Sequence, residues 1–122
     1  MPDEEENEAH LKANYLANCA RFEEANKYFQ KAIQQCPDDP VIHNDFGVSL
    51  DAQGKHTEAL EQYSESLRIE PDYQTALYNK ANTYTFIGKI TDALKVFEDI
   101  LELDPDNLDV QYERAIILIS IN

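Results

Sequence analysis

The chain has 122 residues and a formal net charge of −14, with 24 acidic residues against 10 Lys and Arg. This balance argues against binding to nucleic acid or to a membrane, because both require clustered basic residues. No apolar stretch is long enough to span a bilayer and no signal peptide is evident, so a cytoplasmic protein is expected. Cys19 and Cys36 do not indicate a disulfide framework.

Helical spacing of the apolar residues continues along almost the whole chain, and no segment alternates as a strand would. Residues 1–5 are acidic and are predicted to form a disordered lead-in. Seven helices are predicted after it, at about 7–20, 22–35, 40–53, 56–69, 74–87, 90–103 and 108–121. The sequence therefore predicts an all-α fold.

A repeat of 34 residues organises these helices. Pro37, Pro71 and Pro105 follow one another at that interval, and each lies where a second helix is expected to end. Such a period indicates a stack of equivalent helix pairs. The predicted repeats are 6–39, 40–73 and 74–107, and 108–122 is predicted to be the first helix of an incomplete fourth.

Other positions in the repeat have a physical role. Ala13, Gly47 and Ala81 are small residues in register, where two helices are expected to cross closely. Gly54 and Gly88 fall between the two helices of a pair, where a left-handed backbone is easiest for glycine. In each second helix an alanine precedes an aromatic residue by four positions, at Ala25–Phe29, Ala59–Tyr63 and Ala93–Phe97.

Together these positions resemble the tetratricopeptide repeat (TPR), a helix–turn–helix unit of the same length, from about Glu6 onward. The resemblance implies a right-handed superhelix, or α-solenoid, of antiparallel helix pairs. It also implies that the first helix of each pair lines a concave groove. Carried over by register, the groove residues are Asn14, Asn44, Asp45, Val48, Tyr78, Asn79, Asn82, Phe86 and Tyr112.

Asparagine is prominent among these groove residues. Its side-chain amide both donates and accepts, so it can pair with the backbone of an extended peptide. Asparagine is also a common solvated residue, and the sequence leaves both interpretations open.

One TPR subclass binds the acidic C-termini of Hsp70 and Hsp90 chaperones through Lys, Arg and Asn side chains. Asn14 matches one of those positions, but His10 and Asp45 replace a Lys and an Asn. Thr75 and Asn79 replace the last Lys and Arg. Since cations are missing and Asp45 would repel a carboxylate, chaperone tails are predicted not to bind.

Apparent catalytic motifs have simpler explanations. Asp45-Phe46-Gly47 spells the kinase metal-binding tripeptide, but a glycine-rich loop and a catalytic loop are missing. His10, His43 and His56 are dispersed and are expected to be solvated or half-buried. No catalytic residue, cofactor or metal site is predicted, and the chain is not expected to be an enzyme.

The last predicted helix is apolar on nearly every side. Ile117 and Ile121 are expected to lie on the side that faces away from the third repeat. Two explanations fit: the chain is a fragment whose next helix is missing, or this helix docks on a second copy to form a homodimer.

The leading functional hypothesis is a scaffold or adaptor that binds a peptide or protein segment in the groove. The alternatives are a self-assembly module that uses the terminal helix, and an accessory repeat domain of a larger enzyme.

Overall fold

A computed structural model describes residues 4–122, with side-chain surroundings from residue 8 onward. It contains seven α-helices and, in this part of the chain, no strand. The helices are α1 Glu4–Asn18, α2 Phe22–Gln35, α3 Pro40–Ala52, α4 His56–Ile69, α5 Gln74–Phe86, α6 Ile90–Leu103 and α7 Leu108–Ser120. The predicted all-α fold, an α-solenoid of helix pairs, is confirmed.

Most helix bounds lie within two residues of their predicted positions, and α2, α4 and α6 match at both ends. The largest difference is at α1, which begins at Glu4 instead of residue 7. Glu4 and Glu5 are therefore helical, although the sequence placed them in a disordered lead-in; glutamate is a good helix former. Residues 1–3 of that lead-in lie outside the described residues.

The chain divides into two compact units, Met1–Pro71 (unit 1) and Asp72–Asn122 (unit 2). Unit 1 contains α1 to α4, and α1 contacts both α2 and α3. Its core is built from small and large apolar residues: Ala9, Ala13, Leu16, Ala25, Phe29, Ala32, Ile42, Phe46, Leu50, Ala59 and Tyr63. The Phe29 and Phe46 rings stack with their centroids 5.1 Å apart.

Gly47 explains why α3 and α4 approach so closely. A Cβ atom at this position would lie 2.5 Å from Cε1 of Tyr63. The Tyr63 ring is buried, and its hydroxyl donates to Asp51 Oδ2 at 2.7 Å, so the ring has little freedom to move. The small residue that the repeat pattern predicted is therefore required by a helix crossing.

Unit 2 contains α5, α6 and α7, and α6 packs against both of the others. Its buried apolar side chains include Leu77, Ala81, Ala93, Val96, Phe97, Ile100, Val110 and Ile117. Tyr78 meets Phe97 edge to face, with ring centroids 6.2 Å apart. No helix in residues 4–122 has both the length and the apolar character of a membrane span.

The turns follow the 34-residue register. Pro37, Pro71 and Pro105 each come directly after the C-cap residue of a second helix, as predicted. Gly54 and Gly88, between the helices of a pair, have φ values of +80° and +86°. The same position in the first repeat is Ala20, with φ of +60°, and it is the only described residue other than glycine with a positive φ.

Candidate functional site

A polar cluster joins the two first helices of unit 1. Asp45 of α3 accepts hydrogen bonds on the same carboxylate oxygen, Oδ2, from His10 Nε2 at 2.7 Å and from Asn14 Nδ2 at 3.1 Å. Asn44 Nδ2 lies 3.5 Å from the other oxygen, Oδ1. We call His10, Asn14, Asn44 and Asp45 the Asp45 cluster; three of its members are half-buried and Asn44 is buried.

Electrostatically, Asp45 places a carboxylate at the position where, by the resemblance, the tail-binding TPR subclass has an asparagine amide. The His10 and Asn14 donors already point at Asp45, so they are engaged before any ligand arrives. A ligand carboxylate would meet the Asp45 charge in a partly desolvated position, whereas a ligand N–H would meet an acceptor. The site thus favours hydrogen-bond donors of a ligand over ligand carboxylates.

Exposed apolar side chains border the Asp45 cluster. Val41 and Val48 lie four residues before and three after Asp45, on the same face of α3, and both are exposed. Leu11 of α1 is also exposed. Apolar contact area beside directional hydrogen-bonding groups is the usual composition of a peptide-binding surface.

Unit 2 carries the other predicted groove residues on α5 and α7. Tyr78, Asn79 and Asn82 are half-buried on α5. Phe86, near the end of α5, is 76% exposed, and Tyr112 of α7 is 67% exposed. These two aromatic side chains offer apolar surface to a partner.

A cavity of about 280 Å³ opens where α5 and α7 begin. Two predicted groove residues, Tyr78 and Asn79, line it, whereas Asn82, Phe86 and Tyr112 do not. Asp109 also lines it but was missed as a site residue in the sequence. The 34-residue repeat could have identified it, because Asp109 lies 34 residues after Thr75, another lining residue.

The histidines have hydrogen-bonding roles. His43 is buried, with Nε2 3.0 Å from the Pro37 carbonyl and Nδ1 2.8 Å from the Gln62 side-chain oxygen. This burial departs from the expectation of a solvated or half-buried histidine, because both ring nitrogens find partners within the protein, one of them on α4. His56 lies on α4, the second helix of its repeat, and its Nδ1 is 2.8 Å from Oδ1 of Asp51 on α3.

The two residues predicted for self-association differ in burial. Ile121 is 55% exposed, but Ile117 is only 4% exposed. Ile117 is therefore a core residue of unit 2 and not part of an outer face. The apolar side chains that α7 exposes are instead Leu108, Tyr112, Ile116 and Ile119.

Three family models described as tetratricopeptide repeat match the chain, over residues 50–112, 28–61 and 9–39. The chain therefore belongs to the tetratricopeptide repeat family, as the resemblance implied. A search of curated proteins found no match.

Many solved structures share the fold. The first TPR of Spaghetti (RPAP3), bound to the HSP90 peptide SRMEEVD, has a TM-score of 0.85 at 20% identity, covering 95% of this chain and 92% of that one. The second TPR domain of human RPAP3, in complex with the HSP70 peptide SGPTIEEVD, has a TM-score of 0.79 at 20% identity, covering 89% and 91%. A tetratricopeptide repeat protein from Parabacteroides merdae has a TM-score of 0.88 at 24% identity, covering 95% of this chain and 46% of that one.

Proposed function

We propose that this chain is a non-enzymatic adaptor that binds an extended peptide or protein segment on the exposed faces of its first helices. The observation that carries the proposal is the Asp45 cluster with exposed Val41, Val48 and Leu11 beside it. Membership of the TPR family supports the binding class, as do the RPAP3 structures, which hold peptides. Fold alone does not specify a ligand, so the ligand chemistry must come from the side chains.

The side chains favour a neutral or basic ligand. Asp45 occupies the predicted groove of unit 1, and the chain as a whole carries a net charge of −14. The net charge repels acidic segments at long range, and the Asp45 carboxylate repels them at short range. On this basis the ligand differs from the chaperone tails bound by RPAP3. A cytoplasmic location is part of the proposal.

The test is capture of partners from a cytoplasmic extract by the immobilised chain, followed by mass spectrometry and reconstitution with the purified partner. Val41→Asn with Val48→Asn replaces two exposed apolar side chains of the unit 1 surface by amides and leaves its charge unchanged. Asn79→Ala with Asn82→Ala removes two amides from unit 2. Each pair is expected to weaken binding of the reconstituted partner at least tenfold.

The matched control is Gln30→Asn with Gln34→Asn, which introduces the same side chains at exposed positions of α2, a second helix. We expect this variant to bind like the wild type. A partner that binds the two surface variants and the control equally would refute the proposal.

The second candidate function is self-association through α7. It is favoured by the apolar side chains that α7 leaves exposed, among them Ile119, which is 76% exposed. Ala115 is exposed as well, although Ala13, Gly47 and Ala81 in the same register are buried against other helices.

A further inference from the structure

The cavity of unit 2 has an apolar floor and a polar rim. It is lined by Gln74, Thr75, Tyr78, Asn79, Ile100, Asn107, Asp109 and Val110. Ile100 and Val110 are each 1% exposed and form the floor, whereas Thr75 and Asp109 are exposed at the rim. The half-buried Tyr78 ring, held edge to face by Phe97, forms a wall.

This lining suits an amphipathic side chain. A lysine or arginine has an apolar stem that packs on aliphatic and aromatic surface, and a cationic head that seeks acceptors. Glutamate or aspartate would have no cation to pair with among the lining residues. A purely apolar side chain would leave the rim amides and the Asp109 carboxylate without a new partner.

The charges of unit 2 point the same way. Asp109 is the one carboxylate side chain in the lining, and none of the Lys and Arg cations in residues 72–122 belongs to the lining. Of those cations, Arg114 contacts Glu98 at 3.5 Å. The cavity therefore has negative potential available to a ligand.

Two helices begin beside the cavity, and helix N-termini favour anions. At α5 no side chain caps the helix and its first turn has no acidic residue, whereas at α7 the preference is already met by the protein. The Asn107 side chain accepts a hydrogen bond from the Val110 N–H at 3.1 Å, and Asp109 stands in the first turn of α7. A ligand anion would compete with both groups.

We propose that this cavity binds the side chain of a lysine or arginine from the peptide ligand. The inference deepens the proposed function and rests on it. It makes a basic residue the main determinant of ligand choice in unit 2, with Asp109 as the specificity-determining residue.

The test uses single amino-acid probes, so that no natural partner is needed. The ¹⁵N-labelled chain is titrated with Nα-acetyl-lysine amide and Nα-acetyl-arginine amide. Saturable shifts are expected for the backbone amides of Asn79, Asp109 and Val110 at millimolar probe. Nα-acetyl-norleucine amide, which keeps the stem without the charge, and Nα-acetyl-glutamate amide are expected to give no saturable shifts there.

Variants assign the effect to the carboxylate. Asp109→Asn is expected to weaken the lysine and arginine probes about tenfold, while Asp99→Asn, the same change at an exposed α6 residue outside the lining, leaves them unchanged. Equal shifts with norleucine, a preference for glutamate, or no effect of Asp109→Asn would each overturn the inference.

Failure of the cavity and failure of the proposed function are distinguishable. If the basic probes do not bind but partner binding still depends on Val41 and Val48, the cavity inference is wrong and the adaptor function stands. If the probes bind as expected but partner binding ignores the surface variants of both units, the adaptor proposal fails instead.

Discussion

The turn position after each first helix shows how a single residue carries strain in the first repeat. Ala20, Gly54 and Gly88 share the register and all have positive φ values. An L-residue in this region brings its Cβ close to the backbone, which costs roughly 1–2 kcal/mol. Gly54 has open space around a hypothetical Cβ, so only the backbone angle disfavours a side chain there.

Replacing Ala20 by glycine is therefore expected to stabilise unit 1. Relief of roughly 1–2 kcal/mol of strain is offset by about 0.5–1 kcal/mol of extra freedom in the unfolded chain, leaving a gain on the order of 0.5–1 kcal/mol. Urea denaturation followed by circular dichroism measures it. The matched change Gly54→Ala should lower stability by a similar amount, and an Ala20→Gly variant less stable than wild type would contradict the argument.

Asp45 leads to a second prediction at the residue scale. The peptide SRMEEVD is expected not to bind the wild type, because Asp45 repels its carboxylates and His10 and Asn14 are already engaged. His10→Lys with Asp45→Asn is expected to raise affinity at least tenfold, since a charge-assisted hydrogen bond contributes roughly 1.5–3 kcal/mol. Fluorescence anisotropy with a labelled peptide measures both.

The control for this prediction is Gln30→Lys with Glu61→Gln, which changes the net charge equally at exposed positions of second helices. It should bind no better than the wild type. Micromolar binding by the wild type, or an equal gain in the control, would show that the Asp45 cluster does not set this preference.

At the scale of elements, α7 shows how far a helical pattern can be interpreted without its neighbours. Ile116, Ile117 and Ile119 are all apolar, so periodicity alone does not tell which of them faces the core. Packing against α6 makes the choice: Ile117 is 4% exposed and Ile119 is 76% exposed. The prediction that Ile117 lies on an outer face was wrong for this reason.

This difference gives a matched pair of substitutions. Ile117→Ala should destabilise unit 2 by about 2–5 kcal/mol, because it removes buried methylenes and leaves a cavity. Ile119→Ala, the same chemical change at an exposed position, should alter stability by only about 0.5 kcal/mol or less. Thermal unfolding of both variants checks this, and similar losses for the two would refute the assignment of faces.

At the scale of the whole molecule, the exposed apolar face of α7 is expected to join two copies of the chain. Sedimentation velocity over a wide range of concentration should show association of the wild type and its loss in Ile119→Glu. Since Ile119 is exposed, this change tests the surface without breaking the core, unlike a charge at Ile117.

Gln34→Glu adds the same charge on the exposed face of α2 and should associate like the wild type. A wild type that stays monomeric at high concentration would refute self-association. Dimers that persist in Ile119→Glu would show that another surface is responsible.

The sequence by itself determined the helices, the turns and the family. The signals were three prolines 34 residues apart, small residues such as Gly47, and the turn glycines. They act through local backbone geometry and through the crossing of the two helices of a pair, and both recur in every 34-residue repeat. These are short-range effects, so a pattern along the chain predicts them.

Only the tertiary structure decided which side chains meet. The pairing of His10 with Asp45, the burial of Ile117 and the cavity beside Asp109 each join different helices. A side chain's partners depend on the rotation and spacing of the neighbouring helix, which the repeat pattern does not specify. The charge and shape of the candidate binding surfaces therefore come from helix packing, although every residue in them was visible in the sequence.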